Sequence, residues 1–174
     1  MKKALSLALA TAVVAAAPAF AQGSFYADGG YTFTSIDLED SGTSLDVDLG
    51  SITARGGFDF NQNFGVELEG SFGVADEDVL GATVELSYLI GAYGKVQAPL
   101  SETLNVFARA GVVSAELEVS GGGISESASE TGFGVGVGAT IDFAENLYVR
   151  GDYTRLDIED LEADAFTISL GVRF

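Results

Sequence analysis

Residues 164–174 read DAFTISLGVRF, a run in which apolar side chains occupy every second position. The apolar set consists of Phe166, Ile168, Leu170, Val172 and Phe174, and small, polar or cationic side chains stand between them. Successive side chains of a β-strand point to opposite faces of a sheet. The run therefore predicts a strand with one uniformly apolar face, and such a face suits contact with lipid.

The amino-terminal residues have the features of a secretory signal peptide. A pair of lysines precedes a short apolar run, and Ala19 and Ala21 form a small-x-small cleavage site around one Phe. The apolar run is too short to cross a bilayer as a helix. We therefore expect residues 1–21 to be removed on export and residues 22–174 to form one domain.

The composition excludes several classes of function. The chain has 26 acidic and 8 basic residues, a formal net charge of −18, which disfavours nucleic acid as a partner. It has no Cys, and therefore no disulfide, thiolate nucleophile or zinc–thiolate site. It has no His, which removes the commonest general base and the imidazole metal ligand. We expect no enzymatic activity, no cofactor and no dedicated metal site.

Alternation of this kind recurs along the rest of the chain. The alternating segments are residues 25–37, 49–60, 64–74, 80–96, 104–116, 131–143, 147–156 and 164–174. Their lengths match the roughly 9–11 residues that a tilted strand needs to cross a bilayer, whereas soluble strands average about 5–6. No segment has a helical period. The sequence thus predicts an all-β fold, an eight-stranded antiparallel up-and-down transmembrane β-barrel.

The connections between the segments differ in length in a regular way. Short connections at 61–63, 98–103 and 144–146 alternate with longer ones at 38–48, 117–130 and 157–163, and only 75–79 breaks the contrast. In outer-membrane barrels the short turns face the periplasm and the longer loops face outward. We therefore expect both ends of the barrel domain at the periplasmic rim.

Aromatic residues cluster near both ends of the predicted strands. Those expected at the periplasmic interface are Phe58, Phe60, Phe64, Phe143 and Phe174. Those expected at the outer interface are Tyr31, Phe33, Phe72 and Tyr153. Rings at these two levels are typical of the aromatic girdles of membrane barrels.

The face opposite the apolar one collects charged residues. We expect ion pairs between the basic residues Arg55, Arg109 and Arg150 and the acidic residues Glu67, Glu69, Glu85 and Asp152. Other charged residues of the same parity are Asp28, Asp59, Lys95 and Arg173. A buried ion that lacks a partner costs several kcal/mol, so pairing is required. The cluster is either a polar conduit or an ion-paired plug, and the narrow lumen of eight strands favours the plug.

Residues 132–138 read GFGVGVG, with glycine at every second position. No helix follows, so the run lacks the context of a dinucleotide-binding loop. On a strand these glycines would face inward. They would leave room for Phe107 and Arg109 on the preceding strand and for Tyr148 and Arg150 on the next.

Two groups of carboxylates remain as candidates for chemistry. Glu67 and Glu69 are the pair best placed for acid–base catalysis, but the neighbouring arginines favour structural pairing. The longer connections carry many acidic residues without the twelve-residue calcium-loop pattern. They indicate diffuse binding of divalent cations on a solvated surface.

The sequence resembles the small outer-membrane β-barrel family, which includes OmpA-type and OmpX-type barrels, in its signal peptide at residues 2–21, its eight paired strands, its alternating short and longer connections and its ending at residues 167–174. The resemblance implies a location in the bacterial outer membrane, among lipid and lipopolysaccharide. It also implies that the barrel-assembly machinery recognises the terminal strand with its alternating Phe166, Ile168, Leu170, Val172 and Phe174.

The family implies a fold more narrowly than a function. The leading hypothesis is a non-enzymatic barrel that contributes to envelope integrity and has a largely plugged lumen. The alternatives are a narrow porin-like channel for water, ions or small solutes, and a surface-interaction barrel that acts through its acidic outer loops. A soluble exported barrel with a ligand cavity is the last alternative.

Overall fold

The computed structural model describes residues 23–40, 43–75, 77–79, 82–121, 124–158 and 161–174. The backbone alone is described for residues 37–40, 43–48, 75, 77–79, 82–86, 117–121, 124–128 and 161. The predicted signal peptide and its cleavage residues Ala19 and Ala21 lie outside the described residues.

Antiparallel strands make up almost all of the described chain. They are β1 (Ser24–Asp40), β2 (Thr43–Asp59), β3 (Phe64–Ala75), β4 (Glu77–Val79), β5 (Ala82–Pro99), β6 (Leu104–Gly121), β7 (Ile124–Asp142), β8 (Leu147–Ile158) and β9 (Leu161–Arg173). Strands β3 and β4 both pair with β5, so they share one position in the sheet. Pairing of β1 with β9 and of β3 with β5 closes the sheet. The result is the predicted eight-stranded up-and-down barrel.

The prediction of longer loops was wrong. Paired strands continue through most of 38–48, 117–130 and 157–163, up to the pairs Asp40–Thr43, Gly121–Ile124 and Ile158–Leu161. The acidic residues of these segments lower their apolar content, which made them resemble loops. Backbone N–H and C=O groups pair across a hairpin whatever the side chains are, so the ladders continue beyond the apolar part of each strand.

The short turns all lie at one end of the barrel, called here the short-turn rim. Backbone hydrogen bonds join neighbouring connections around this rim, namely Gln97 N to Asn63 O (2.8 Å), Asp142 N to Thr103 O (2.8 Å), Arg173 N to Asn146 O (2.8 Å) and Phe174 N to Phe25 O (2.9 Å). Both ends of the described chain therefore lie at the short-turn rim, as the connection pattern predicted.

The outer face of the barrel carries the predicted apolar sets. Exposed members include Ile52, Val66, Leu68, Ile90, Phe133, Val135, Val137, Ile141, Ile168 and Leu170. Val84 and Leu86 belong to the same prediction, but their side chains are outside the described part. An apolar surface of this extent is the reverse of the pattern of a water-soluble barrel.

Aromatic side chains mark both edges of the apolar band. Phe60, Phe64, Phe143 and Phe174 are exposed at the short-turn rim, and Phe58 packs half-buried on Phe25 at a ring distance of 4.6 Å. Phe33, Phe72 and Tyr153 are exposed toward the opposite end. Across the described residues, no helix is long and apolar enough to cross a membrane.

Candidate functional site in the barrel lumen

Seven buried charged side chains meet inside the barrel and are called here the charge layer. Its members are Asp28, Arg55, Glu67, Glu69, Arg109, Arg150 and Asp152. They come from β1, β2, β3, β6 and β8, so the ion pairs connect opposite walls of the barrel. Three guanidinium groups thus face four carboxylates in a space that excludes most solvent.

Arg150 is the most enclosed member, with 1% of its surface exposed. Its Nε donates to Asp152 Oδ1 at 2.8 Å, and Nη1 donates to Glu67 Oε1 and lies 3.6 Å from Asp28 Oδ2. Glu67 has no other ion-pair partner among the described side chains. Arg150 therefore neutralises a carboxylate on the far side of the lumen.

Arg55 and Arg109 share two carboxylates. Arg55 Nε lies 2.5 Å and Arg109 Nη1 lies 2.7 Å from the same oxygen, Glu69 Oε2. Both guanidinium groups also donate to Asp152 Oδ2, each at 3.2 Å. Charge-assisted bonds shared in this way hold β2, β3, β6 and β8 at fixed distances across the lumen.

The structure brings six of the seven predicted lumen residues into contact. They are Arg55, Glu67, Glu69, Arg109, Arg150 and Asp152. The side chain of Glu85 is outside the described part, and a register shift between Leu86 and Tyr88 interrupts the alternation that predicted its inward position.

Asp28 was not among the predicted partners, although its parity placed it inward. It lies directly opposite Arg55 in the β1–β2 register, and its Oδ1 lies 3.3 Å from Arg55 Nη1. Its second oxygen accepts a hydrogen bond from the Tyr148 hydroxyl at 3.0 Å. The pair depends on the β1–β2 register, which the interpretation of 38–48 as a loop did not predict.

Aromatic rings cover four of the basic groups in the lumen. The cation–ring pairs are Lys95 on Tyr26 (4.1 Å), Arg109 on Tyr93 (4.3 Å), Arg150 on Phe107 (4.3 Å) and Arg173 on Tyr148 (4.5 Å). Attraction between a cation and the face of a ring strengthens where water is excluded. The rings thus help to hold each charged group in one orientation.

The inward glycines of β7 give these bulky groups their space. A Cβ atom on Gly136 would lie 2.6 Å from Thr154 Oγ1 and 3.3 Å from Arg109 Nε. A Cβ atom on Gly138 would lie 2.5 Å from the Phe107 ring. The glycines therefore make room for Phe107 and Arg109 as predicted, whereas the ring of Tyr148 lies over Gly171 on β9.

A set of hydroxyl groups lies next to the charge layer, on the side away from the short-turn rim. This hydroxyl layer consists of Thr32, Thr53, Ser71 and Thr167. Thr32 Oγ1 lies 2.6 Å from Thr53 Oγ1 and 2.8 Å from Thr167 Oγ1, and Thr53 Oγ1 lies 2.8 Å from Ser71 Oγ. The hydroxyls satisfy one another along four adjacent strands.

Beyond the hydroxyl layer the interior becomes apolar, which the sequence analysis missed. The apolar layer consists of Ile36, Leu49, Leu89, Tyr93, Val113, Ala115, Leu156, Ile158, Ala163 and Ala165, all buried and in one contact cluster. The signal was present in the sequence as continued alternation. It was missed in part because Ile158 and Ala163 lie in segments that were interpreted as loops, and Ile36, Leu49 and Leu156 lie close to such segments.

A small cavity lies at the other end of the lumen, near the short-turn rim. Its lining includes Lys95, Gln97, Thr140, Arg150 and Arg173. The Lys95 ammonium is paired with Asp59 Oδ1 at 2.9 Å, and Arg173 is paired with Asp142. The cavity measures about 10 Å³, which is close to the minimum for one water molecule.

The arrangement offers little chemistry beyond ion pairing. Glu67 and Glu69, the candidate acid–base pair, are both engaged by arginines and hold no position open for a substrate. Within the described residues, no group of three or more acidic side chains is arranged to hold a metal ion. The geometry therefore supports a structural role for these carboxylates.

The terminal strand presents its apolar residues to the outside. Phe166, Ile168 and Leu170 are exposed, Val172 is half-buried, and the side chain of Phe174 is 73% exposed at the short-turn rim. These side chains contribute few contacts to the interior, so their identity is not explained by packing.

Comparisons with known proteins agree with this architecture. Residues 5–174 match the model of a protein family described as the outer membrane protein beta-barrel domain. No curated protein matches the sequence.

Several solved structures are similar to this chain in fold. Ail, the attachment invasion locus protein of Yersinia pestis, superposes with a TM-score of 0.68 at 18% identity, over 88% of this chain and 99% of that chain. Neisserial surface protein A gives a TM-score of 0.63 at 18% identity, over 87% and 98%. The N-terminal β-barrel domain of OprF from Pseudomonas aeruginosa gives 0.61 at 14% identity, over 88% and 98%.

Proposed function

The chain belongs to the outer membrane protein β-barrel domain family and lies in the bacterial outer membrane, and we propose that it is a non-enzymatic barrel that contributes to the integrity of the envelope. Its own side chains close the lumen. The observation that carries the proposal is the charge layer, in which three arginines and four carboxylates are paired across the lumen and hold its walls together.

The described side chains leave no open polar path, which supports a structural role over transport. The charge layer leaves its members almost without solvent contact, and the cavity near the short-turn rim accommodates about one water molecule. The absence of His from the sequence and the pairing of Glu67 and Glu69 with arginines support a non-enzymatic role.

The experiment is a conductance measurement on the purified barrel, refolded in detergent and verified by heat-dependent gel mobility. We expect no discrete currents in a planar bilayer from the wild type, and none from Arg109→Ala. Cells that lack the protein should become more sensitive to detergent, and expression of the wild type should restore resistance. Discrete wild-type currents altered by Arg109→Ala would instead establish the rival role, a narrow channel.

Charged residues on the outer surface favour contact with lipopolysaccharide and divalent cations. Arg155, Asp157 and Glu162 face outward beyond the apolar band, where Arg155 pairs with Glu162 and lies 3.7 Å from Asp164. Divalent cations could bridge such carboxylates to lipid phosphates. The same surface favours the surface-interaction role as the second candidate, and a silent barrel whose loss leaves detergent resistance unchanged would point to it.

The terminal strand supports recognition by the barrel-assembly machinery. Phe174 makes a backbone hydrogen bond to Phe25 but exposes most of its ring. We expect Phe174→Ala to lower the amount of assembled barrel in cells while leaving refolding in detergent unchanged. Phe143→Ala is the matched control, because Phe143 is exposed at the same rim. Equal loss of assembly in both variants would contradict a specific role for Phe174.

A further inference from the structure

Two layers of different chemistry, the charge layer and the apolar layer, fill the lumen at different heights. Along the inner face of β8, Arg150 and Asp152 belong to the charge layer, and Leu156 and Ile158 belong to the apolar layer. Thr154 lies between them and accepts a hydrogen bond from Arg109 Nη2 at 2.7 Å. An ion that travels the length of the barrel would have to pass both layers.

The ring of Tyr93 marks the boundary between the two levels. One face covers the Arg109 guanidinium at 4.3 Å, and the ring itself belongs to the apolar cluster. Cβ atoms on Gly91 and Gly134 would lie 2.6 Å and 2.9 Å from this ring, so the two glycines give it its place. The charged part of the lumen therefore ends at Tyr93.

The apolar layer is closely packed. Val113 is 1% exposed, and Leu49, Leu89, Leu156 and Ile158 are also buried, although they come from β2, β5, β6 and β8 on different sides of the barrel. A gap wide enough for water would leave these side chains accessible. The described side chains therefore leave no continuous water column through the layer.

The two layers oppose an ion differently. In the charge layer a passing ion meets guanidinium and carboxylate groups that can exchange partners and replace part of its hydration. In the apolar layer the members offer it no charged group and a single hydroxyl, that of Tyr93. Loss of hydration there is largely uncompensated and costs several kcal/mol. Apolar constrictions block ions by excluding water even where they are not fully closed.

We propose that the apolar layer, and not the charge layer, is the permeability barrier of this barrel. The inference rests on the proposed function, since it assigns the closure of the lumen to particular residues. The charge layer then serves to hold the strands in position. The lumen between Tyr93 and the short-turn rim stays polar without letting ions cross the membrane.

The test compares three double variants as refolded barrels in planar bilayers with potassium chloride. Leu89→Ser with Leu156→Ser makes a gap that is polar, whereas Leu89→Ala with Leu156→Ala makes a gap of similar size that stays apolar and dry. Arg55→Met with Glu69→Gln removes the four ion pairs that Arg55 and Glu69 make in the charge layer and keeps its net charge. Heat-dependent gel mobility verifies folding, and Val113→Thr replaces the serine pair if that pair fails to fold.

We expect currents from the serine variant and none from the wild type, the alanine variant or the charge-layer variant. A folded serine variant that stays silent would overturn the inference, and so would currents from the charge-layer variant. Equal currents from the alanine and serine variants would show that the size of the side chains at 89 and 156, rather than their lack of polar groups, closes the lumen. Wild-type currents would overturn both this inference and the proposed function, whereas differences among variants of a silent barrel affect this inference alone.

Discussion

The carboxylates of the charge layer differ in the number of arginines with which they pair. Glu67 is paired only with Arg150 among the described side chains, whereas Glu69 and Asp152 each contact two or more arginines. Removing Arg150 would leave two guanidinium groups against four carboxylates. A buried carboxylate without its partner is far more costly than the pair was favourable.

We therefore expect Arg150→Met to lower the free energy of unfolding by about 3–5 kcal/mol. Urea unfolding in detergent, followed by circular dichroism because the chain has no Trp, gives the value. Adding Glu67→Gln should restore part of the loss, since it removes the carboxylate left unpaired. Glu162→Gln, in an exposed ion pair on the outer surface, is the control and should change little. Additive losses in the double variant would contradict this pairing.

At the scale of single elements, strand β8 carries both patterns of the barrel. Its outward residues change from Leu147 and Val149 to Arg155 and Asp157, while its inward residues change from charged to apolar in the same direction. The strand is thus suited to lipid near the short-turn rim and to water at its other end. Its neighbour β7 has glycines at the inward positions beside the bulky inward residues of β8.

The glycines of this strand pair give a matched test. A Cβ atom on Gly138 of β7 would lie 2.5 Å from Phe107, 2.6 Å from Asp152 Cβ and 2.6 Å from the Gly151 carbonyl oxygen. A Cβ atom on Gly151 of β8 would meet nothing within 4 Å. We expect Gly138→Ala to lower the free energy of unfolding by about 1–3 kcal/mol, because backbone cannot move aside easily.

Gly151→Ala is the control and should leave the unfolding midpoint nearly unchanged. Both substitutions add one methyl group to neighbouring strands, so they differ only in the direction in which it points. If the two variants unfolded at the same urea concentration, the inward glycines would not be required for packing.

The whole molecule combines a membrane barrel with a water-exposed extension. Near the short-turn rim the outside is apolar and the inside is charged, whereas at the other end the apolar layer lies inside and Arg155, Asp157 and Glu162 lie outside. Strands of up to 19 residues exceed the roughly 9–11 that cross a bilayer. The hairpins at the end opposite the short-turn rim, called here the outer hairpins, therefore extend beyond the lipid.

Single cysteines on β9 test this placement, since the chain has no native thiol. We expect a fluorophore at Leu170→Cys to be quenched by brominated acyl chains, because Leu170 is 63% exposed on the apolar band. A fluorophore at Glu162→Cys should be quenched by aqueous iodide instead. Thr167→Cys faces the lumen and should resist labelling. Lipid quenching at both outward positions would contradict the extension.

The sequence by itself determined the strands and the two faces of each. Alternation is a local property, because a side chain's face depends on its parity alone, and the run from Phe166 to Phe174 therefore identified a lipid-facing strand. Strand number followed from the repeats, and antiparallel pairing followed from the short turns. The same counting placed Arg55, Arg109 and Arg150 inside the lumen.

Only the tertiary structure decided which of these groups meet. Arg109 on β6 reaches Glu69 on β3 because closure of the sheet places β5 alone between these strands. Arg150 on β8 reaches Glu67 on β3 because closure also brings the opposite wall within the length of a side chain. The extent of the outer hairpins was also decided there, since backbone pairing continues through acidic residues that look like loops. The apolar layer follows from both, because its members come from strands far apart in sequence and form one cluster only when the barrel is closed.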